Sequence, residues 1–272
     1  MTTDKTTREG APPMDMQEIA RRILYQRMHR FTDSGPDLSP FATAKYRRDG
    51  GRLRVGFTNL APGRAHDAVA RAQRYTAQRN MQLEWVVVPQ LPGEYELPSA
   101  LAASRFRCIE SLLLMVHVGL VPTALNPAVS VSQIGSFQTM WEYEYGSRQS
   151  FFDDPEPAHN VVTQRARDRW REQEHGWCRY YAATLDGRMA GGCYVSLWED
   201  VPTLMGVYTL ASARGRGVAT ALVAHTIAEL VHRGRDTCCL FVKVGNPAER
   251  LYRELGFLGL FNEDMYIWEP GY

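Results

Sequence analysis

The chain has almost no excess charge: 31 basic residues stand against 30 acidic ones, a net +1. Binding to a phosphate backbone normally shows as a basic stripe or tail, and none is present, so nucleic acid is not an expected partner. Long apolar runs are also missing. The longest, Leu112 to Val121, is broken by His117 and Gly119 and is too short to span a bilayer, so no membrane partner is expected. Cysteine is scarce and odd in number: Cys108, Cys178, Cys193, Cys238 and Cys239, with no Cys-x-x-Cys pair and no cysteine–histidine metal spacing. Four of them fall in apolar, strand-like stretches, which predicts reduced, buried thiols and no metal. The polar start MTTDKTTREGAPP lacks the apolar core of a secretory signal. Residues 1–13 are expected to be a disordered lead-in, and the location to be cytoplasmic.

What is present is globular: 44% hydrophobic residues over 272 positions suffice for one large domain or two modest ones. Asp15 stands three residues before Glu18, and Ile19, Ile23, Met28 and Phe31 recur at helical spacing, so 15–31 reads as an amphipathic helix. Stretches 42–48 and 52–60 flank Asp49-Gly50-Gly51, a hairpin signal because those residues accept positive φ. A helix to Asn80, the strand LEWVVVP, the short helix ELPSALAAS and the strand CIESLLLMV follow. The second half repeats that order. CRYYAATL and RMAGGCYVSLW flank Asp186-Gly187; then come TLMGVYTLA, a helix from Gly217 to about Arg233 closed by Gly234, the strand TCCLFVKV, the helix PAERLYREL and a strand MYIWE. Between the halves lie a strand at 129–134 and helices around 137–145 and 158–174. Leu101-Ala-Ala-Ser-Arg-Phe106 aligns with Tyr252-Arg-Glu-Leu-Gly-Phe257, as an internal duplication would have it; two generic α/β units are the bland alternative.

The chemistry concentrates in Arg214-Gly215-Arg216-Gly217-Val218-Ala219, between a strand and a helix. Its glycines let consecutive N–H groups converge, and the unpaired N–H groups and dipole of the helix's first turn add to them. The result is a pyrophosphate site with arginine counter-charges. A dinucleotide fold would want Gly-x-Gly-x-x-Gly early in a βαβ unit, and a kinase-type loop would want Gly-Lys-Ser/Thr. Neither pattern is present. The plain alternative is a charged strand-to-helix turn.

With Arg214-x-x-Gly217-x-Ala219 after VYTLA and Tyr252-Arg-Glu-Leu-Gly256-Phe257 on a later helix, the chain resembles the GNAT superfamily of acetyl-CoA-dependent N-acetyltransferases. The likeness is firm over about 130–270 and weak over 42–117. It implies an α/β (α+β) tandem GNAT-like fold, each half a mixed, mostly antiparallel sheet flanked by helices. Residues 14–120 would be a degenerate GNAT-like domain and 121–272 the catalytic one. The first unit has no such loop after Leu60, and Leu101 stands where Tyr252 stands. One acetyl-CoA per chain is therefore expected, with the first half as scaffold or acceptor-site wall.

By the same resemblance, Val207, Tyr208 and Thr209 offer backbone groups to the pantetheine arm beside a strand bulge. Arg214, Gly215, Arg216, Gly217, Val218, Ala219 and Thr220 bind the pyrophosphate, and Tyr252 is the general acid at the thioester sulfur. The family often has an Asn seven residues before that Tyr; here Gly245 holds that place and Asn246 follows, serving either as a helix cap ahead of Pro247 or as a CoA contact. The implied reaction is acetyl transfer to a primary amine of a small molecule. A protein or peptide acceptor, or a non-catalytic CoA-binding sensor, remains an alternative, and a homodimer is admissible.

The amine must lose a proton, which at pH 7 costs roughly 4–5 kcal/mol for an alkylamine. The family often places a carboxylate on the central strand, yet TLMGVYTLA is uncharged. Glu199 is the candidate base, with Asp200, Glu142, Glu144 and water as rivals. Trp141, Tyr143, Tyr145, Phe151 and Phe152 are either core or substrate wall. As a wall, with Glu142, Glu144, Asp153 and Asp154 beside it, the cluster would favour a cationic acceptor.

Overall fold

The computed structural model describes residues 15–121, 123–152, 154 and 156–270. The expected lead-in at 1–13 and Asp153 lie outside them. Helix α1 (Met16–Met28) starts where Asp15 Oδ1 accepts the Gln17 amide at 2.9 Å. The reciprocal half of a capping box is not made, because Glu18 pairs with Arg21 instead. Strands β1 (Ala42–Asp49) and β2 (Arg52–Leu60), helix α2 (Ala65–Ala77), β3 (Gln82–Val87), α3 (Leu97–Ala103) and β4 (Arg107–Val118) complete the first half. The second half runs β5 (Val129–Gln133), α4 (Phe137–Phe151), α5 (His159–Glu174), β6 (Cys178–Leu185), β7 (Arg188–Ser196), β8 (Thr203–Thr209), α6 (Val218–His232), β9 (Thr237–Lys243), α7 (Ala248–Glu254) and β10 (Leu258–Trp268).

Two elements exceed what the sequence pattern suggests. Helix α4 continues past Tyr145 through Gly146, where a side chain would meet the Tyr208 ring at 3.1 Å. Strand β10 begins seven residues before the expected MYIWE, because its polar stretch is partnered inside the sheet. Glu263 pairs with Arg27 at 2.5 Å and Asp264 accepts the Ser111 hydroxyl at 2.5 Å. Such charges in a strand read as loop until their partners are known.

The mixed, mostly antiparallel sheet is present as one ten-stranded sheet shared by the halves, in the order β1-β2-β3-β10-β4-β9-β8-β7-β6-β5. Only β2–β3 and β8–β9 pair in parallel. The last strands are exchanged: β4 lies beside β9, and β10 lies beside β3. At the centre β4 and β10 pair symmetrically, Val116 with Leu258, Leu112 with Glu263 and Arg107 with Ile267. The hinges into these strands match as well. The Phe106 amide reaches Leu101 O at 3.0 Å and the Phe257 amide reaches Tyr252 O at 2.9 Å. Arg105 and Gly256, at φ 63 and 89, hold the same left-handed place in these two helix ends. Shared geometry of this kind supports the duplication more strongly than the few matched residues do.

Alternation on the strands separates two faces. On one, Val218, Leu222, Tyr252 and Leu255 of α6 and α7 pack with Met115, Leu240 and Val242, while α2 and α3 cover Leu53, Val55 and Trp85. On the other, Ile19 and Ile23 of α1 pack on Leu114, Val116 and Val201, and α4 and α5 cover Tyr180 and Ala182. Burying both isoleucines fully contributes about 1.5–3 kcal/mol each and seats α1 against the start of β8.

Candidate active site

The site is built where β8 leaves β9. The two strands pair only at Thr203–Cys239 and Leu204–Leu240, then part. Directly beyond, β8 carries an extra residue: Met205 faces Tyr194, but Tyr208 already faces Gly192, and Gly206 sits at φ 59. This is the expected bulge, and it lies directly beside the gap. The Tyr208 side chain points away, buried, with its hydroxyl donated to Tyr143 O at 2.9 Å.

Past Thr209 a single 3-10 turn (Ala211–Ala213) leads into the glycine loop and α6. Gly215 and Gly217 take φ 72 and 79, the left-handed region that other residues enter at a cost of about 1–2 kcal/mol. Gly217 is the N-cap and supplies no side chain, so the first-turn amides of α6 have no side-chain cap. A cavity of about 420 Å³ opens there, lined by Thr209, Ala213, Arg214, Gly215, Gly217, Val218, Ala219 and Thr220. Uncapped amides, a helix dipole and a guanidinium around one space constitute an anion site.

Arg216 is directed elsewhere. Its guanidinium pairs with Asp186 on the β6–β7 turn at 2.9 Å, and its carbonyl accepts Asn126 Nδ2 at 3.0 Å. Asn126, ahead of β5, thus braces the loop from a position 90 residues earlier in the chain. Sequence reasoning missed it, since nothing local marks a residue whose partner is a distant carbonyl.

Tyr252 lies on α7, 8% exposed, edge-on to Phe257 at 5.7 Å. Burial pushes its hydroxyl up to about 12, with Cys193 adding to the shift. Exposed Asn246 directs Oδ1 to the Ala248 amide at 2.9 Å, capping α7. Glu199 sits in the β7–β8 loop with Oε1 on Arg30 at 2.5 Å and Oε2 near Gln26 and Thr203, at 3.1 and 3.4 Å. The rival carboxylates are engaged as well: Asp200 with Arg22 at 2.6 Å, Glu144 with Arg169 at 2.5 Å, and Glu142 with Gln138 at 3.0 Å.

The aromatic cluster of α4 divides. Tyr143 is core, Trp141 stacks on Tyr145 at 5.3 Å, and Phe151 and Phe152 are exposed. Tyr143, Tyr180 and Tyr194 surround the Arg169 guanidinium at 5.4–5.9 Å. Tyr194 also abuts the bulge, 3.0 Å from where a side chain on Gly206 would begin. Burial raises all three tyrosine hydroxyls, so the rings stay neutral around the Arg169–Glu144 pair, and Tyr180 donates its hydroxyl to Glu172. Cys193, Cys238 and Cys239 are buried, whereas Cys108 is exposed and Cys178 half-buried. Burial raises the Cys193 thiol to about 12 and Cys239 to about 11, which leaves them unreactive core groups. Among the described residues no three His, Cys, Asp or Glu side chains could hold a metal, and no helix is long and apolar enough to cross a membrane.

The arrangement is thus a bulged strand parting from its parallel neighbour, followed by an anion site at a helix start. The acetyltransferase (GNAT) family profile matches residues 141–257, and the chain carries a GNAT acetyltransferase domain over that span, which makes it an acyltransferase. No curated protein matches the chain. Among solved structures it is similar to a GCN5-related N-acetyltransferase from Kribbella flavida, at 16% identity and TM-score 0.63, over 95% of this chain and 96% of that one. A GCN5-related N-acetyltransferase from Sphaerobacter thermophilus gives 15% and 0.64, over 84% and 76%. A tandem GNAT protein from the clavulanic acid biosynthesis pathway gives 18% and 0.59, over 85% and 80%. At such identities the likeness is one of fold, and it includes the tandem arrangement.

Proposed function

We propose that the enzyme moves an acetyl group from acetyl-CoA to a primary amine of a small molecule, in the cytoplasm. The observation that carries this reading is the uncapped, glycine-lined start of α6 placed directly after the β8 bulge. Gly215, Gly217, Val218, Ala219 and Thr220 would hold the pyrophosphate with Arg214 as counter-charge, and Arg216 would contribute through its backbone. The backbone of Val207, Tyr208 and Thr209 would pair with the pantetheine amides as another strand would. Asn246 has its Nδ2 left for the same arm after capping α7.

The amine nitrogen attacks the thioester carbonyl carbon, the C–S bond breaks and CoA leaves as a thiolate. Tyr252 donates a hydrogen bond to that sulfur. With its hydroxyl near 12 and a thiol near 8.5, full proton transfer would be uphill by roughly 5 kcal/mol, so the bond itself is the catalytic contribution. The carboxylates considered as base, Glu199 first among them, are engaged by basic or amide side chains. This favours water as the proton's way out.

Thiol release with acetyl-CoA and a panel of small amines, run beside N-terminal and lysine peptides, tests the proposal. Turnover on small amines supports it, and turnover only on peptides moves the acceptor to the protein class. Acetyl-CoA binding without turnover on any acceptor would make the chain a sensor.

A further inference from the structure

The first half keeps the frame of the donor slot. Strand β2 carries the same extra residue as β8: Lys45 pairs with Gly56, then Thr43 with Asn59, and Phe57 between them sits at φ 51. A phenylalanine in the left-handed region costs about 1–2 kcal/mol, so this bulge is retained against its residue's preference. Strands β2 and β3 pair in parallel as far as Val55–Trp85 and then part, as β8 and β9 do after Leu204–Leu240. Gly63 at φ 70 lies one residue before Arg64, the N-cap of α2, while Gly217 at φ 79 is itself the N-cap of α6. On this frame Thr58 and Leu60 stand where Val207 and Thr209 stand in the second half, and Gly63 lies one residue ahead of Arg64, which holds the place of Gly217.

That slot is filled by the chain itself. Between β3 and α3 runs Val88–Glu96, longer than the Val244–Pro247 link between β9 and α7. Glu94, 1% exposed, places Oε1 on the Thr58 amide and Oε2 on the Val88 amide, both at 2.6 Å, tying the parted strands together. Gly93 O accepts the Leu60 amide at 3.2 Å. Glu96 accepts the Gly63 amide at 3.1 Å, one residue before the N-cap of α2. A carboxylate at the bulge, a carbonyl along the strand and a second carboxylate at the helix start follow the order thioester, pantetheine amide, pyrophosphate. A Cβ at position 93 would lie 2.9 Å from Asn59 Oδ1, 3.0 Å from Asn59 Cα and 3.1 Å from Thr58 O, so any side chain there requires the segment and β2 to move apart by a few tenths of an ångström.

We propose that Val88–Glu96 is an internal mimic of the acyl-CoA arm, occupying the donor slot that the first half retains and thereby limiting the enzyme to one CoA per chain. The assignment rests on reading β8–α6 as the working donor slot.

The test is residue-resolved amide exchange on the full chain, with CoA and with pantetheine, alongside CoA stoichiometry by equilibrium dialysis. The wild type should bind one CoA, slowing exchange over Val207–Thr220 and leaving Thr58, Leu60 and Gly63 unchanged. In the Glu94→Ala/Glu96→Ala double variant those three amides should exchange about tenfold faster, the scale of one lost hydrogen bond. Millimolar pantetheine should then restore protection at Thr58 and Leu60, and should not act there in the wild type. Gly93→Ala, which crowds the segment against Asn59 and Thr58, carries the same readout if the double variant does not fold. Two CoA per wild-type chain with protection at Thr58, unchanged amides in both variants, or no pantetheine effect on the opened slot would each overturn the proposal. No CoA effect at Val207–Thr220 would instead fail the donor-site reading, and the first-half amides would still report on the mimic.

Discussion

At Tyr252, burial and the proposed role point the same way. A hydroxyl held near 12 stays protonated throughout any practical assay range, as the proposed donor to a departing sulfur must. Tyr252→Phe keeps the ring against Phe257 and removes only that donor. We expect kcat to fall ~10²-fold, with KM for acetyl-CoA and the Tm little changed. Any limb of the pH–rate profile should then follow the pKa of the chosen amine, and a limb that moves with Tyr252→Phe would contradict this role. Glu94 offers a test of stability. Burial, aided by the charge of Glu263, raises its carboxyl from 4.5 to about 7 against the pull of two amide donors. The folded chain keeps a proton that the unfolded chain sheds, so the contribution is full below 4.5 and is lost as pH rises through about 7. The span is worth about 3 kcal/mol at most. Denaturant unfolding between pH 5 and 8 should show the wild type losing stability that Glu94→Gln does not lose; parallel slopes would refute it.

At the scale of the element, the loop before α6 is held from outside as well as from within. Its glycines adopt their own left-handed turns, but Asn126 and Asp186 fix Arg216 on both its backbone and its side chain. Asn126→Ala should raise the Kd for CoA about 3–10-fold, the scale of one hydrogen bond to a positioned loop, while kcat at saturating donor holds. A change in kcat without one in Kd would mean that Asn126 acts on the acceptor side. This element also marks the limit of what the sequence conveys. Gly215, Gly217 and the arginines are legible because backbone conformation and charge are local properties. The brace at Asn126, the pairing of Glu199 with Arg30 and the tyrosine wall around Arg169 are contacts between distant segments, and no local pattern encodes them. The elements themselves were legible for the same local reason, except the second half of α4, which continues through Gly146, and the start of β10, whose charges look solvent-facing until Arg27 and Ser111 are beside them.

For the molecule as a whole, the repeat was visible in element order, and the exchange of β4 and β10 was not. Strand pairing between repeats depends on which edge closes first, and two similar strands leave that choice open to the sequence reader. The exchange makes each half incomplete. Without β4, β9 and β10 would both present bare edges in the middle of the sheet, the arrangement most prone to pairing with other chains. The boundary proposed near residue 120 is therefore a boundary of ancestry more than of folding. Residues 121–272 expressed alone, although they hold the whole proposed donor site, should aggregate or assemble through the missing strand. Co-expression with 1–120 should restore a soluble one-to-one complex that binds CoA. The intact chain should unfold in one calorimetric transition, because its central ladder belongs to both halves. A monomeric, CoA-binding 121–272, or two separate transitions in the full chain, would mean that the shared strands contribute little. The second half would then be a domain able to fold by itself.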